Sequence, residues 1–344
     1  MPALDRATSS KIAAFGFVSA FLVAAIHVPQ PIPADAATPA WWLYHLTAGT
    51  FGRLAVPFYF VTAGFFLARH FGEGSWWRRE TSKRLRSLLV PFVLWLLLWN
   101  ATEGVLAVAS NLHSGVSPTK GFPSGWALLT CLGLNPFDYP SDIPLWFVRS
   151  LLLYAAASGV LLLAVRRFGV ALLAVVLAIS AAARLPGCDS GAWHFLTRFV
   201  SMHGLFYFLV GAALAMGVVS PPHGRVAAAL SAAGVAGLFL SQFLAARGVA
   251  GWGVLHELSI PLALLAAWSR FPSVSWPRAV TSLTFPVYIL HVFAVRVLDV
   301  AMYGKIGCAV LVAKYVVVCA MSVVAAVEFR ALLPRLHAFA FGGR

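Results

Sequence analysis

Five polar residues in otherwise apolar stretches of this chain carry its chemistry: His27, Arg53, Arg149, Tyr288 and His291. Histidine has the side chain whose ordinary pKa lies nearest neutrality, so it can take a proton from a hydroxyl and return it within one turnover. Arginine keeps its charge and can face the negative charge that develops on a reacting oxygen. Two bases and two fixed cations at one depth suit proton removal beside a developing oxyanion. Tyr288 lies three residues before His291 and shares its helix face. Arg53 is the costliest of the five, since a guanidinium inside a span costs ~2.5 kcal/mol or more on insertion scales. Its segment, Phe51 to Leu67, also holds Pro57 and Gly64, which let a neighbouring helix or a ligand come close.

The elements that position these residues follow from composition. Hydrophobic residues make up 60% of the 344, charged residues only 10%, and the mean hydropathy is 0.85. The expectation is an all-α, polytopic membrane bundle of about ten transmembrane helices forming a single membrane domain over residues 1–344. The predicted spans are 11–27, 51–68, 88–109, 144–165, 170–183, 195–219, 226–245, 253–268, 279–300 and 306–329. Of the 25 Lys and Arg, sixteen then fall on one side, with Lys11 at the mouth of the first span counted there, four on the other and five within spans, which places both termini in the cytoplasm. The net charge of +14 sits in short connections between apolar runs, so it marks topology rather than nucleic-acid binding.

Residues 28–49 hold Trp41, Trp42 and Tyr44 with no Lys or Arg and read as an outer, interfacial loop. Ala34-Asp35-Ala36 resembles a signal cleavage site, but the run from Lys11 to His27 reads as a retained helix. Residues 110–142 exceed an ordinary connection and suggest an outer lid or re-entrant segment. Cys131 and Cys188 both fall outside, which leaves a disulfide open, and no cysteine spacing indicates a metal.

At a rise of ~1.5 Å per residue, His27 lies ~24 Å up the first span and His291 ~18 Å up the ninth. Arg53 and Arg149 enter their spans from the outer side, so the four share a layer. The remaining histidines read differently: His194, His203 and His256 as hydrogen-bonded packing residues, and His113, His223 and His337 as solvated. Arg198 reads as snorkelling to the interface. A transporter or flippase that uses the buried Arg and His residues on an anion is the competing class, but no repeated pair of broken helices supports it.

The motifs resemble those of the acyltransferase 3 family of membrane acyltransferases. They are the helix ending Ala-Ala-Ile-His27, Arg53-Leu-Ala-Val-Pro-Phe-Tyr-Phe-Val-Thr-Ala-Gly64, Lys83-Arg84-Leu-Arg86 leading to Pro91, Pro144-Leu-Trp146-Phe-Val-Arg149, Phe206-Tyr-Phe-Leu-Val-Gly211 and Tyr288-Ile-Leu-His291. Thr62-Ala63 departs from the family's Ser before Gly64, and no C-terminal hydrolase-like domain is recognised. The resemblance implies transfer of an acyl group, commonly acetyl, from cytoplasmic acyl-CoA to a hydroxyl of a cell-envelope glycan or small molecule, in a bacterial inner membrane, with no metal. On that reading His27 is the general base, Arg53 and Arg149 bind the acyl carbonyl or orient the acceptor, and His291 with Tyr288 assists. Arg78, Arg79, Lys83, Arg84 and Arg86 supply cations for the CoA phosphates. Trp146 and Trp42 are candidate acceptor contacts, with Trp41, Trp126 and Trp193 as further aromatic surfaces.

Overall fold

The computed structural model describes residues 5–28, 38–114, 125–188, 191–302, 305 and 307–343. All regular structure among them is helical. Seven helical stretches are long and apolar enough to cross a membrane, or eight when a bent pair counts as one span. The chain is thus a multi-pass integral membrane protein.

Helix α1 (Arg6–His27) starts at an Asp5 cap, whose carboxylate accepts from Thr8 N at 2.8 Å. Helix α2 (Pro39–Leu46) occupies part of the expected loop. Thr38 caps it by accepting from Trp41 N at 3.3 Å, and Pro39 supplies a preset φ at its first position. A π-helical turn (Thr47–Phe51) and a 3-10 turn (Gly52–Leu54) then lead into α3 (Ala55–Ala68).

Helix α4 (Trp76–Ser114) absorbs most of the expected basic loop, because Trp76 is buried and its indole donates to Leu67 O at 3.0 Å. At ~1.5 Å per residue its length is about twice a hydrocarbon core, so its basic first turns project beyond the membrane. The expected lid at 110–142 contains α5 (Gly125–Cys131), while residues 115–124 lie outside the described part. The Ala34-Asp35-Ala36 site also lies outside it.

Helices α6 (Trp146–Ala156) and α7 (Ser158–Ala182) run almost continuously, with a break at Gly169, whose φ of 53° and ψ of −127° are not helical. Short α8 (Gly191–His194) and a π-helical turn (Phe195–Phe199) precede α9 (Met202–Ala215), bent from it by 42° at Ser201. Ser201 holds a left-handed φ of 54°, and its backbone carbonyl accepts from Tyr154 Oη at 2.7 Å. The bundle continues with α10 (Gly224–Ala246), α11 (Trp252–Arg270), α12 (Arg278–Thr281), α13 (Thr284–Ala301), α14 (Cys308–Leu332) and α15 (Pro334–Ala340). The tail is ordered by its apolar residues: Phe341 is fully buried against Trp95, Phe285, Phe329 and His337.

Two contacts set the frame of the site. Gly64 of α3 and Gly211 of α9 lie against each other's helices, where an added Cβ would stand 1.9 Å from Phe208 O and Val61 O respectively. The close approach expected at Gly64 is therefore to a helix. On the other side, Ala24 and Val28 of α1 cluster with Ala294, Val295 and Val318, and Ala20 clusters with Leu283, Val287 and Ala326. This small-residue face seats α1 on α13. All four cysteines are free.

Candidate active site

The seating of α1 on α13 brings His27 and His291 together, with ring centroids 5.3 Å apart. His291 is fully buried, and its Nδ1 bonds to the Tyr288 carbonyl at 2.5 Å. That nitrogen therefore carries the proton, and Nε2 is left as a buried acceptor with no protein partner. His27, half-buried at the end of α1, has no hydrogen-bond partner among the described residues.

Arg53 stands on the irregular turn beside them. The wide π-turn followed by the tight 3-10 turn presses Gly52 against Ile26 and the Leu22 carbonyl, one residue from His27. Arg53 is exposed to solvent. His27, Tyr44, His45, His256 and Glu257 all lie within its electrostatic reach. It makes no hydrogen bond or ion pair among the described residues.

Tyr288 lies beside His291, with ring centroids 6.0 Å apart. Its hydroxyl donates to the Pro144 carbonyl, and its ring meets Phe147 at 5.8 Å and Tyr59 at 6.5 Å. Tyr59 and Phe147 are themselves 5.8 Å apart. These three rings wall a cavity of about 280 Å³ that runs to Arg84 and Thr281 at the basic end of the bundle. A second cavity of about 360 Å³ shares Tyr59, Thr62, Phe66 and Thr284 with the first and reaches Arg278. Because Tyr288 lines the first cavity and its ring lies 6.0 Å from that of His291, it forms the partition between cavity and histidines.

The basic cluster divides. Arg78, Arg79, Lys83 and Arg86 line an open cleft of about 750 Å³ with Ser82, Ser87, Gly342 and Gly343. Arg84 turns to the other face of α4 and lines the first cavity. Helical periodicity explains the split, since positions 79, 83 and 86 share a face that 84 does not.

Arg149 is not brought to the histidines. It is buried, and its Nη atoms donate to the carbonyls of Gly133, Asn135, Asp138 and Arg198 at 2.7 to 3.4 Å. These bonds tie residues 133–138 and the turn at 195–199 to α6. The pinned loop carries Tyr139, which lies in the field of Arg53, and Asp142, which is buried beside Tyr288 with one carboxylate oxygen unpartnered. Burial pushes the Asp142 carboxyl up to about 7. Trp146 packs against Phe60 and Tyr139, and Trp42 against Trp41, and neither lines the two cavities. The side chain of Trp126 lies outside the described part.

Two residues read from sequence as packing histidines belong to networks. His203 Nδ1 pairs with Glu257, which also accepts from Ser180 at 2.6 Å and from Arg184 at 3.2 Å. His256 contacts Ser241 and Gln242. The one available signal was Glu257, an acid in an apolar helix adjacent in sequence to His256. Among the described residues, no group of three or more His, Cys, Asp or Glu could hold a metal ion.

The helical bundle with its apolar crossings defines a multi-pass integral membrane protein, and it brings two imidazoles together in its interior. A family model described as an acyltransferase domain matches residues 17–329, nearly the whole chain, and the chain belongs to that family, acyltransferase 3. It is a membrane acyltransferase. No curated protein matches the chain, and no solved structure does.

Proposed function

We propose that the protein moves an acyl group, acetyl in the simplest case, from cytoplasmic acyl-CoA to a hydroxyl of a cell-envelope glycan or small molecule at a bacterial inner membrane. The observation that carries this reading is the His27–His291 pair, within electrostatic reach of the exposed Arg53 and next to Tyr288, which lines a cavity that also holds Arg84. The donor would lie with its phosphates at Arg84 and Arg278 and extend its pantetheine arm along Tyr59 and Tyr288. The open cleft of Arg78, Arg79, Lys83 and Arg86 offers further phosphate contacts. Ten crossings fit this orientation: the seven long stretches, the bent pair ending in α9, a second crossing where 143–182 breaks at Gly169, and α11. Both chain ends then face the cytoplasm.

In the reaction His27 removes the acceptor hydroxyl proton, and the oxygen attacks the thioester carbonyl. Arg53 faces the resulting oxyanion. Collapse breaks the carbon–sulfur bond, the thiolate takes the proton from the imidazolium, and an ester and free CoA result. His291, its Nδ1 held by the Tyr288 carbonyl, presents Nε2 as a second proton acceptor. Arg149 acts as a positioning residue that holds Tyr139 and Asp142 at the site.

Replacing His27 by Ala is the test. Loss of a general base costs ~10²–10⁴-fold in rate, so turnover of labelled acetyl-CoA with an envelope extract should fall by that factor while acetyl-CoA still binds. Turnover within a few-fold of the parent enzyme overturns the assignment.

A further inference from the structure

We propose that the cleft between the cationic face of α4 and the chain end, lined by Arg78, Arg79, Lys83, Arg86, Gly342 and Gly343, holds the headgroup of an anionic phospholipid whose acyl chains lie along the exposed apolar face of α4. The inference does not depend on the acyl-transfer reading. It gives the phosphate contacts of this cleft to a membrane lipid and leaves the donor to the cavity at Arg84.

Helix α4 carries two chemistries in succession on one face. Arg79, Ser82, Lys83 and Arg86 line the cleft, and the next residues on that face, Leu89, Val93 and Leu97, are exposed apolar side chains. The opposite face packs inward through buried Thr81, Leu88, Phe92 and Trp95. From Arg86 to Leu97 the helix rises ~16 Å, close to the ~15 Å hydrocarbon depth of one leaflet. Cations that border one leaflet's depth of lipid-facing surface match a phospholipid from headgroup to chain end. A water-soluble phosphate compound has no part that matches the apolar half.

Basic residues at this end of the bundle are enough to set topology; a walled cleft is a further feature, and the chain end builds it. The Trp95 indole donates to the Ala340 carbonyl at 2.8 Å, and the fully buried Phe341 stacks on Trp95 with centroids 5.3 Å apart. This anchor lays Gly342 on α4, where an added Cβ would stand 2.2 Å from the Ser87 carbonyl oxygen and where a φ of 67° favours glycine. At Gly343 nothing lies within 4 Å of the place a Cβ would take, so the cleft of about 750 Å³ stays clear there. No acid lines it. Arg86 donates to Ser82 Oγ at 2.9 Å, and Arg79 reaches Glu73 and Glu80, which stand outside the lining, at 3.4 and 3.9 Å. Arg78 and Lys83 meet no carboxylate among the described residues. A cleft of this charge at a membrane surface collects anionic headgroups. It shares no lining residue with the two cavities that meet at Tyr59.

The test uses the full-length protein, delipidated in detergent, and reads binding by native mass spectrometry with dioctanoyl phosphatidylglycerol, dioctanoyl phosphatidylcholine, glycerol 3-phosphate and CoA as probes. Phosphatidylglycerol should bind about tenfold or more tightly than phosphatidylcholine, which isolates the charge, and than glycerol 3-phosphate, which isolates the chains. Ser82→Glu sets a carboxylate beside Arg86 and keeps every cation, so the positive-inside signal is retained; it should weaken phosphatidylglycerol about tenfold and leave phosphatidylcholine unchanged. The double variant Lys83→Gln, Arg86→Gln should do the same. Ser82→Glu covers the case in which the double variant fails to fold, and an unchanged melting temperature reports the fold of each. Equal binding of the two lipids, phosphatidylglycerol affinity untouched in both variants, or glycerol 3-phosphate binding as tightly as the lipid overturns the site. CoA that displaces phosphatidylglycerol from the parent protein and loses affinity in both variants assigns the cleft to the donor and overturns it as well.

Discussion

Arg149 separates a catalytic from a positioning role, and Arg149→Met is the sharpest perturbation. The side chain is only 5% exposed, and the four carbonyls it serves lie in two segments, residues 133–138 and Arg198. A hydrogen bond to a charged group contributes about 1.5–3 kcal/mol net, so four at the low end would come to ~6 kcal/mol. The loop can recover part of this by turning carbonyls toward water, and methionine keeps most of the packing volume, which leaves a loss of ~3–4 kcal/mol. At ~2 °C per kcal/mol for a chain of this size, thermal unfolding in detergent should fall by roughly 6–8 °C. Activity should drop with the fold and recover in part at low temperature, where the loop reseats. A variant that melts within about 1 °C of the parent yet is inactive at every temperature would refute the positioning role and return Arg149 to the reacting centre.

Other consequences are open to measurement. Arg84→Ala should raise the KM for acetyl-CoA more than Arg79→Ala does, because only Arg84 lines the cavity that leads to Tyr288; equal effects would count against that cavity as the donor's path. Gly211→Ala must push α3 and α9 apart, since its Cβ would meet backbone at 1.9 Å, and should cost at least ~3 kcal/mol, seen as a large fall in melting temperature. Asp142 gives a pH signature. Its folded carboxyl is raised from the ordinary 3.8 to about 7, so the folded state holds an extra proton between those values. The stability this confers is complete below pH 3.8 and is lost as pH rises to 7, on the order of 4 kcal/mol in all. Asp142→Asn keeps the neutral shape, so it should melt higher than the parent at pH 8 and equally at pH 4; a parent-like pH slope in the variant would refute this.

How much was legible beforehand differs by residue. His27 and His291 could be placed in one layer by counting residues from the span ends, because helical rise is fixed. Their contact could not, because it depends on the Ala20 and Ala24 face of α1 meeting α13, a choice of neighbour that depth does not encode. The cap at Thr38-Pro39 was written in the sequence, yet the expected aromatic loop hid the helix it starts. The division of Arg84 from Arg79, Lys83 and Arg86 was implicit in helical periodicity once residues 76–86 are helical, and unreadable while they passed for a loop.

What the sequence determined by itself was the solvent of each segment and the polar residues that had to be hidden from it. Composition, charge placement and the spacing of six short motifs suffice for a helical membrane protein and for its family, because burying a backbone in lipid leaves few other structures. The tertiary structure decided which hidden groups meet. It set Arg149 on four backbone carbonyls, left Arg53 without a partner among the described residues, and joined His45 to His256 through an amide 197 residues from the former. Such contacts join residues distant in the chain, and local pattern holds no record of them until helices choose their neighbours.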